Sequence, residues 1–426
     1  MTEKQLPNFW KRTTLGEIAR SFSSGGTPST KNESFWKGSI PWITSKWIDA
    51  RLYLDSGEKF ISYEALRQSA TAVVPKGNLI FATRVGVGKV AINNLDLAIN
   101  QDLTGILLDG ENETEFIAYQ LRSREIQSKI DSQKRGATIQ GITRDNLKSL
   151  ELTIPPRQEQ RKIAFLLRSV HYAIEQQEKM TILTSELRKA LIHQLLTRGL
   201  RNESQKQAEF GPVPQSWEIA ELATAVEQIE YGISAPIPKS QPKNGVKIVS
   251  TADITKDGRI LYDQIRRIIA PEKTVKRLVL HAGDVLFNWR NSAELIGKSA
   301  VFQEQIEPHI FASFILRIRC GEKKSHNYFI AHLMNYFRER GVFFKLARRA
   351  VNQANYNRNE ISVLNIPLPS YDEQREIADA IAAIDVQLNL HHRKHAALSA
   401  LFRTLLHQLM TAQVRLNDLD LRELEM

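Results

Sequence analysis

Along two stretches of the chain, apolar positions recur near heptad spacing in otherwise polar sequence. Ile163, Leu167, Val170, Ile174, Leu187, Leu191 and Leu195 mark the first; Ile377, Ile381, Ile384, Leu388, Leu398, Phe402, Leu405 and Leu409 mark the second. From Gln158 and from Asp372 no Pro or Gly interrupts the pattern for roughly 40 residues, which predicts about 60 Å of helix in each case. Pro155-Pro156 and Pro369 stop the strands that precede them, Ser370 and Glu373 stand at capping-box spacing, and Gly199 ends the first helix. A helix that is apolar along one stripe has to bury that stripe. The matched period and length point to the other helix as its partner, in an antiparallel or parallel coiled coil. The alternative is that each helix packs separately on its own globular domain. Midway the stripe turns polar, at Gln177 and Thr181 in one helix and at His391 and His395 in the other.

Between and before the helices the pattern is of another kind. Short apolar runs rich in β-branched and aromatic residues, bounded by Gly and Pro, predict strands at Leu79–Ala82, Val90–Ile92, Val246–Val249, Val285–Phe287 and Phe311–Ile318. Shorter helices are expected at Glu115–Asp131 and His326–Ala347. Each globular unit has about 150 residues, enough for a core of its own. The fold class is therefore α/β: two mixed α/β domains separated by two long helices.

The second half repeats the first. Gln160-Arg161-x-Ile163-Ala164 returns as Gln374-Arg375-x-Ile377-Ala378, and Leu191-x-His193-Gln194-Leu195-x-Thr197 as Leu405-x-His407-Gln408-Leu409-x-Thr411, both 214 residues on. Over 158–197 against 372–411, 12 of 40 positions are identical, well above chance, so the similarity is a duplication. It extends upstream: Trp10 and Leu15 match Trp217 and Leu222, Gly77 to Arg84 matches Gly283 to Arg290, Gly88-Lys89 matches Gly297-Lys298, and Arg144 to Leu150 matches Arg358 to Leu364. The organisation read from this is a first domain at 1–154, a long helix at 155–199, a linker at 200–214, a second domain at 215–368, a second helix at 369–412 and a tail at 413–426. A two-fold repeat in one chain suits a partner that looks alike from both ends, such as duplex DNA or a pair of identical subunits.

Composition narrows the choice. The net charge of +11 favours a polyanionic partner, nucleic acid first and an anionic membrane second. There is no apolar run of membrane-spanning length and the N-terminus has no signal-peptide core, so a cytoplasmic protein without membrane contact is expected. A single cysteine, Cys320, excludes internal disulfides and multi-cysteine metal sites, and its alternating apolar surroundings read as strand. No complete catalytic motif is present. Gly86-Val-Gly88-Lys89 resembles the end of a phosphate-binding loop, but Thr83 and Val90 stand where that loop needs Gly and Ser/Thr. His391 and His395 have metal-ligand spacing on a helix with no third ligand evident. No catalytic, cofactor or metal site is expected.

The polar, Gly-punctuated loops are the candidates for reading DNA. In the first domain they carry Thr27, Lys46, Arg84, Lys89, Arg135, Thr138, Gln140 and Arg144. In the second they carry Lys239, Thr251, Asn288, Arg290, Asn291, Lys298, Arg348, Arg349, Asn352, Gln353, Asn355, Tyr356 and Arg358. Arg suits guanine edges, Asn and Gln suit adenine, and Lys suits phosphates.

The doubled run Leu152-Thr-Ile-Pro-Pro-Arg-Gln-Glu159-Gln160-Arg161-x-Ile163-Ala164 and Ile366-Pro-Leu-Pro-Ser-Tyr-Asp-Glu373-Gln374-Arg375-x-Ile377-Ala378 resembles the specificity (S) subunits of type I restriction–modification systems. The Leu-x-His-Gln-Leu boxes and the opening Trp10 and Trp217 extend the likeness over nearly the whole chain. Gly136-Ala-Thr-Ile-x-Gly-Ile142 is similar to the family's Gly-Ser-Thr loop, from which Ala350-Val-Asn352 departs. The resemblance implies two target-recognition domains held apart by an antiparallel helix pair, each reading one half of a gapped, asymmetric DNA site. It implies no active site on this chain. Two methyltransferase subunits would dock on the helical regions, through Gln160, Arg161, His193, Gln194, Gln374, Arg375, His407 and Gln408, and would carry S-adenosylmethionine; two translocase–nuclease subunits would join for cleavage. The helix pair would then act as a ruler. A two-domain protein scaffold without sequence-specific DNA binding is the alternative from a different class.

Overall fold

The computed structural model describes residues 7, 9–134, 141–238, 241–292, 294–343, 348–350 and 353–416. The chain divides into two compact units, residues 1–180 with 391–426 and residues 181–390. Each unit therefore combines one globular region with one half of each long helix.

In the first unit a five-stranded sheet runs in the order Ala19–Ser24, Leu103–Leu108, Leu79–Ala82, Val90–Asn93, Tyr53–Leu54. Its pairs are antiparallel except the last. The central strands are buried on both faces, and period-2 alternation sorts their side chains. Leu79, Phe81, Val90 and Ile92 face Phe116, Ile117 and Leu121 of the helix Thr114–Arg122. Ile80, Ala82 and Ala91 face Ile43 and Ile99 of a second, four-stranded sheet. The single helix expected over 115–131 is two: Ser123 ends Thr114–Arg122, and its hydroxyl accepts from the Ile126 N–H to cap Arg124–Gln133.

The second unit repeats this plan. Its main sheet runs Val226–Tyr231, Ile315–Cys320, Val285–Asn288, Ser299–Val301, all antiparallel. Val285 and Phe287 pack with Phe329, Ile330, Leu333 and Phe337, while Leu286 and Ala300 pack with Ile248 and Phe311 on the other face. The continuous strand expected over 311–318 is broken by a turn in which the Ile315 N–H donates to the Ala312 carbonyl. Residues 205–214, expected as linker, form an antiparallel hairpin of Gln205–Ala208 and Gly211–Pro214. Phe210 and Val213 anchor it in the core, which gives this polar stretch a buried side.

The long helices are Arg157–Arg198 and Tyr371–Met410, of 42 and 40 residues. Within the first unit Ile163, Ala164 and Leu167 share a core with Leu406, Leu409 and Met410. There the His171 and Phe402 rings lie 5.2 Å apart and His395 Nε2 lies 3.2 Å from Glu178 Oε1. Numbers rise along one helix as they fall along the other, so the pairing is antiparallel. Within the second unit Leu195 and Leu196 share a core with Ile377 and Ile381, and the Arg188 guanidinium clasps the Asp385 carboxylate, again antiparallel. The two alternatives left open by the periodicity are both realised: the helices pair, and their ends are built into the globular cores.

Candidate nucleic-acid interface

In each unit, the chain leaves the main sheet at one end of its strands through loops that hydrogen bonds tie together. In the first unit the Thr83 N–H donates to the Asp102 carbonyl (2.8 Å), and the Thr83 carbonyl accepts from the Ile142 N–H (2.9 Å). The Thr27 hydroxyl donates to Gln101 Oε1 (2.5 Å), and the Arg144 guanidinium donates to the Ser24 hydroxyl. Thr27, Arg84, Gln101 and Arg144 are thereby gathered at one end of the sheet's strands, and all four are exposed.

The second unit uses the same frame. The Trp289 N–H donates to the Phe314 carbonyl (3.3 Å), and the Trp289 carbonyl accepts from the Tyr356 N–H (3.0 Å). Arg290 thus holds the place of Arg84. Arg358, whose backbone N–H donates to the Tyr231 hydroxyl (2.7 Å), holds the place of Arg144. The surroundings differ. Trp289 Nε1 donates to the Ser313 carbonyl, the Tyr231 and Trp289 rings meet edge-on at 5.3 Å, and the Arg290 guanidinium lies 5.0 Å over the Phe314 ring. The backbones of Arg290–Asn291, Gln353–Asn355 and Arg348–Ala350 form a three-stranded ribbon, with Asn355 paired to both Arg290 and Arg348. The ribbon therefore brings the backbones of Arg348, Arg349, Gln353 and Asn355 to Arg290 and Asn291. The side chains at 348–350 and 353–355 lie outside the described residues, as do Arg135, Thr138, Gln140, Lys239 and Asn352 altogether.

Several residues expected to face DNA are committed inside the fold. Lys298 is 5% exposed and donates to the carbonyls of Thr251 (2.7 Å) and Ile254 (2.5 Å). Burial lowers its pKa, as desolvation disfavours the charged form. Its counterpart Lys89 donates to the Ile48 carbonyl (2.7 Å), so both lysines brace a turn beside the sheet. The Gly86-Val-Gly88 stretch, with both glycines at positive φ, belongs to that turn: the Gly88 N–H donates to the Ala82 carbonyl. Asn288 is fully buried and donates to the Leu295 carbonyl (3.3 Å); Tyr356 is buried and donates to the Phe343 carbonyl (2.8 Å). Lys298, Asn288 and Tyr356 are corrected to structural roles, because they are buried and donate to internal carbonyls, whereas Lys89 is exposed and gives one donor to the Ile48 carbonyl. Thr251 is half-buried with its carbonyl on Lys298, Asn291 accepts from the Ser292 N–H, and Lys46 is exposed on the turn Ser45–Trp47.

The residues expected to dock partners divide similarly. Gln160 is 2% exposed: its Oε1 accepts from the Glu113 N–H, and its Nε2 donates to Asn112 Oδ1 and the Pro155 carbonyl. Gln374 is fully buried: it accepts from the His326 N–H and donates to the carbonyls of Lys324 and Pro369. Each glutamine ties the start of a long helix to the loop that opens a helix of its globular region, so neither is available to a partner. Arg161 and Arg157 share the Glu113 carboxylate at 2.8 Å, and although burial opposes it, the two guanidiniums hold that carboxyl below its ordinary range. Arg375 is exposed, 3.6 Å from Asp372. His193 Nδ1 lies 3.0 Å from the Tyr336 hydroxyl and His407 Nδ1 lies 2.5 Å from Glu125 Oε1, equivalent contacts of a helix end with its unit. Gln194 is exposed and Gln408 half-exposed.

The sequence reading missed Gln101, Ser313 and Phe314, which sit at the broken strand corners; it placed Leu187 on the stripe to be buried, whereas the helices leave Leu187 among apolar side chains in solvent. Within the second unit these are Ile182, Leu183 and Leu187 with Val386 and Leu390; the first three are each about 60% exposed. His391 and His395 face Gln177 and Glu178, and no metal-holding group of three His, Cys, Asp or Glu residues occurs among the described residues. The Cys320 thiol, on its strand, is pushed up to about 11 by burial, away from nucleophile chemistry. No helix among the described residues is long and apolar enough to cross a membrane.

Two globular regions with one frame and different loop side chains, each joined to paired helices, define a duplicated recognition scaffold. The model of the type I restriction modification DNA specificity domain matches residues 7–184 and 229–400, and the chain belongs to that family. It is similar to the type I restriction enzyme MjaVIII specificity subunit of Methanocaldococcus jannaschii, 21% identical over 98% of this chain and 95% of that one. The putative MjaX specificity subunit of the same organism is 28% identical over 52% of this chain. The E. coli EcoR124I/EcoR124II specificity subunit is 29% identical over 47%. In these last two matches the chain spans about half the length of the relative, 51% and 46%. The fold is that of the type I S subunit from M. genitalium, with a TM-score of 0.59 at 13% identity over 95% of this chain and 97% of the other. A structure solved for assembly and conformational transition of the type I R-M system gives 0.56 at 19% identity over 97% and 100%.

Proposed function

We propose that this chain is the DNA-recognition subunit of a type I restriction–modification complex, with each globular region reading one half of a gapped, asymmetric site. One observation carries the reading: the same set of loops at the strand ends of the main sheet, with arginines at equivalent places, occurs twice, while the side chains around those arginines differ. A common frame with different contents is what two dissimilar half-sites require. The net charge of +11 suits a polyanion. Exposed apolar helix side chains at equivalent places, Tyr172 with Val386 and Leu187 with Leu401, suit docking of two methyltransferase subunits, with two translocase–nuclease subunits joining for cleavage. Chemistry belongs to those partners on this reading: S-adenosylmethionine is bound by the methyltransferase, and this chain carries no catalysis. A cytoplasmic location follows from the DNA substrate.

The test is DNA binding by the chain co-purified with a methyltransferase subunit of its own system. A DNA reader that neutralises six or more phosphates loses about a thousandfold or more in affinity between 50 and 200 mM salt. A complex that assembles but shows no salt-dependent binding to DNA would be the scaffold instead.

A further inference from the structure

We infer that the four arginines at equivalent places, Arg84 and Arg144 in the first unit and Arg290 and Arg358 in the second, grip the DNA backbone. Half-site reading falls to the corner residues beside them, Gln101 in the first unit and Phe314 in the second. The inference rests on the function proposed above and divides its labour.

The argument is one of information. Two different sequences are not told apart by the same side chain on the same frame. Arg84 and Arg290 each follow a residue whose N–H donates to a corner carbonyl, of Asp102 or Phe314, and whose carbonyl accepts from Ile142 or Tyr356. Arg144 and Arg358 each open a five-residue helix, Arg144–Lys148 or Arg358–Ser362, beside Ser24 or Tyr231. What is constant between the units suits the constant part of DNA, its phosphates.

The corners are not constant. The first presents Gln101-Asp102 and the second Ser313-Phe314. Gln101 is exposed and accepts from the Thr27 hydroxyl through Oε1, which orients its amide. An oriented glutamine amide matches the paired donor and acceptor of an adenine edge. Phe314 is 44% exposed although aromatic, and carries the Arg290 guanidinium 5.0 Å over its ring. The part of the ring that the guanidinium leaves uncovered matches a thymine methyl, with the stacked arginine beside it at the backbone.

The experiment uses the chain in complex with its methyltransferase and reads two quantities, the methylated motif and the salt dependence of DNA binding. R84A, R144A, R290A and R358A each lower methylation at all sites together. Each makes the slope of log affinity against log salt shallower by about 0.9, the value for one phosphate, and leaves the motif unchanged. R84K and R290K restore most of the affinity, since a phosphate accepts a point charge where a two-pronged base contact does not. Q101A and F314A leave the slope unchanged and each relaxes one position of one half-site. An arginine variant that broadened its own half-site at unchanged slope would overturn the division, as would Q101A and F314A proteins that kept both half-sites strict. A wild-type complex whose DNA binding ignored salt would overturn the function itself, a result these variants do not produce.

Discussion

Replacing Gln374 by Ala tests whether the repeated Glu-Gln-Arg motif is a partner surface or an internal clasp. The side chain is 0% exposed and makes three hydrogen bonds: from the His326 N–H at 2.8 Å, and to the carbonyls of Lys324 and Pro369 at 3.0 and 2.9 Å. Alanine leaves a buried donor without its acceptor, which costs about 1–3 kcal/mol, and deprives two carbonyls of a donor at a smaller cost each. A total of about 3 kcal/mol is expected, equal to an opening equilibrium roughly a hundredfold more favourable. Hydrogen exchange followed by mass spectrometry on full-length chain localises the effect. Amides around His326 and the start of the second long helix should exchange about a hundredfold faster. Gln374→Glu should be no milder at neutral pH, because it loses both donors and sets a carboxylate against two carbonyls. Gln160→Ala should act alike on the first unit. If Gln374→Ala exchanged like the wild type yet failed to bind methyltransferase, the clasp would be refuted and the motif would be a docking surface.

Gly297 has φ of +86°, and a Cβ there would lie 2.4 Å from the Phe343 ring, so Gly297→Ala should cost about 3 kcal/mol or more in urea unfolding. Gly77→Ala, at φ of +83° but in open space, should cost only the backbone strain of about 1 kcal/mol. Burial pushes the His332 imidazole down to about 4, with the Arg188 charge adding to it. The unfolded chain therefore binds the extra proton first, and stability falls as pH drops from about 6.5 towards 4, by up to roughly 1.4 kcal/mol per unit. His171, His309 and His326 are lowered in the same sense, and His332→Gln should make the acid loss shallower without removing it. Removing about four residues from each long helix, about 6 Å of rise, should shorten the gap of the methylated site by about two base pairs and leave both half-sites intact. An unchanged gap would sink the ruler.

Much of the architecture was legible because it is local. The stripe from Ile163 to Leu195 predicts a helix wherever its partner lies, and the structure starts that helix at Arg157, one residue before the expected Gln158. The strands at Leu79–Ala82 and Val285–Asn288 were equally legible from their β-branched and aromatic runs. What was hidden depends on partners far away in sequence. Lys298 looks like a phosphate ligand until the carbonyls of Thr251 and Ile254, more than forty residues distant, take up its ammonium group. Gln160 and Gln374 sit at exposed-looking helix starts, and only the fold brings the Glu113 and His326 amides onto them. Phe314 reads as one more apolar residue of a strand, and the turn at Ala312 turns it into a half-exposed corner. The repeat itself was the usable signal: where both copies of a residue are buried in the same internal contact, as Gln160 and Gln374 are, the role is structural.

The most direct measurement of the central claim is a genome-wide map of methylated adenines in a methylation-free host that expresses this chain with the methyltransferase of its system. The account expects a single motif of two unlike half-sites separated by a gap of fixed length. Methylation without a gapped motif, or a stable complex that methylates nothing in particular, would contradict it.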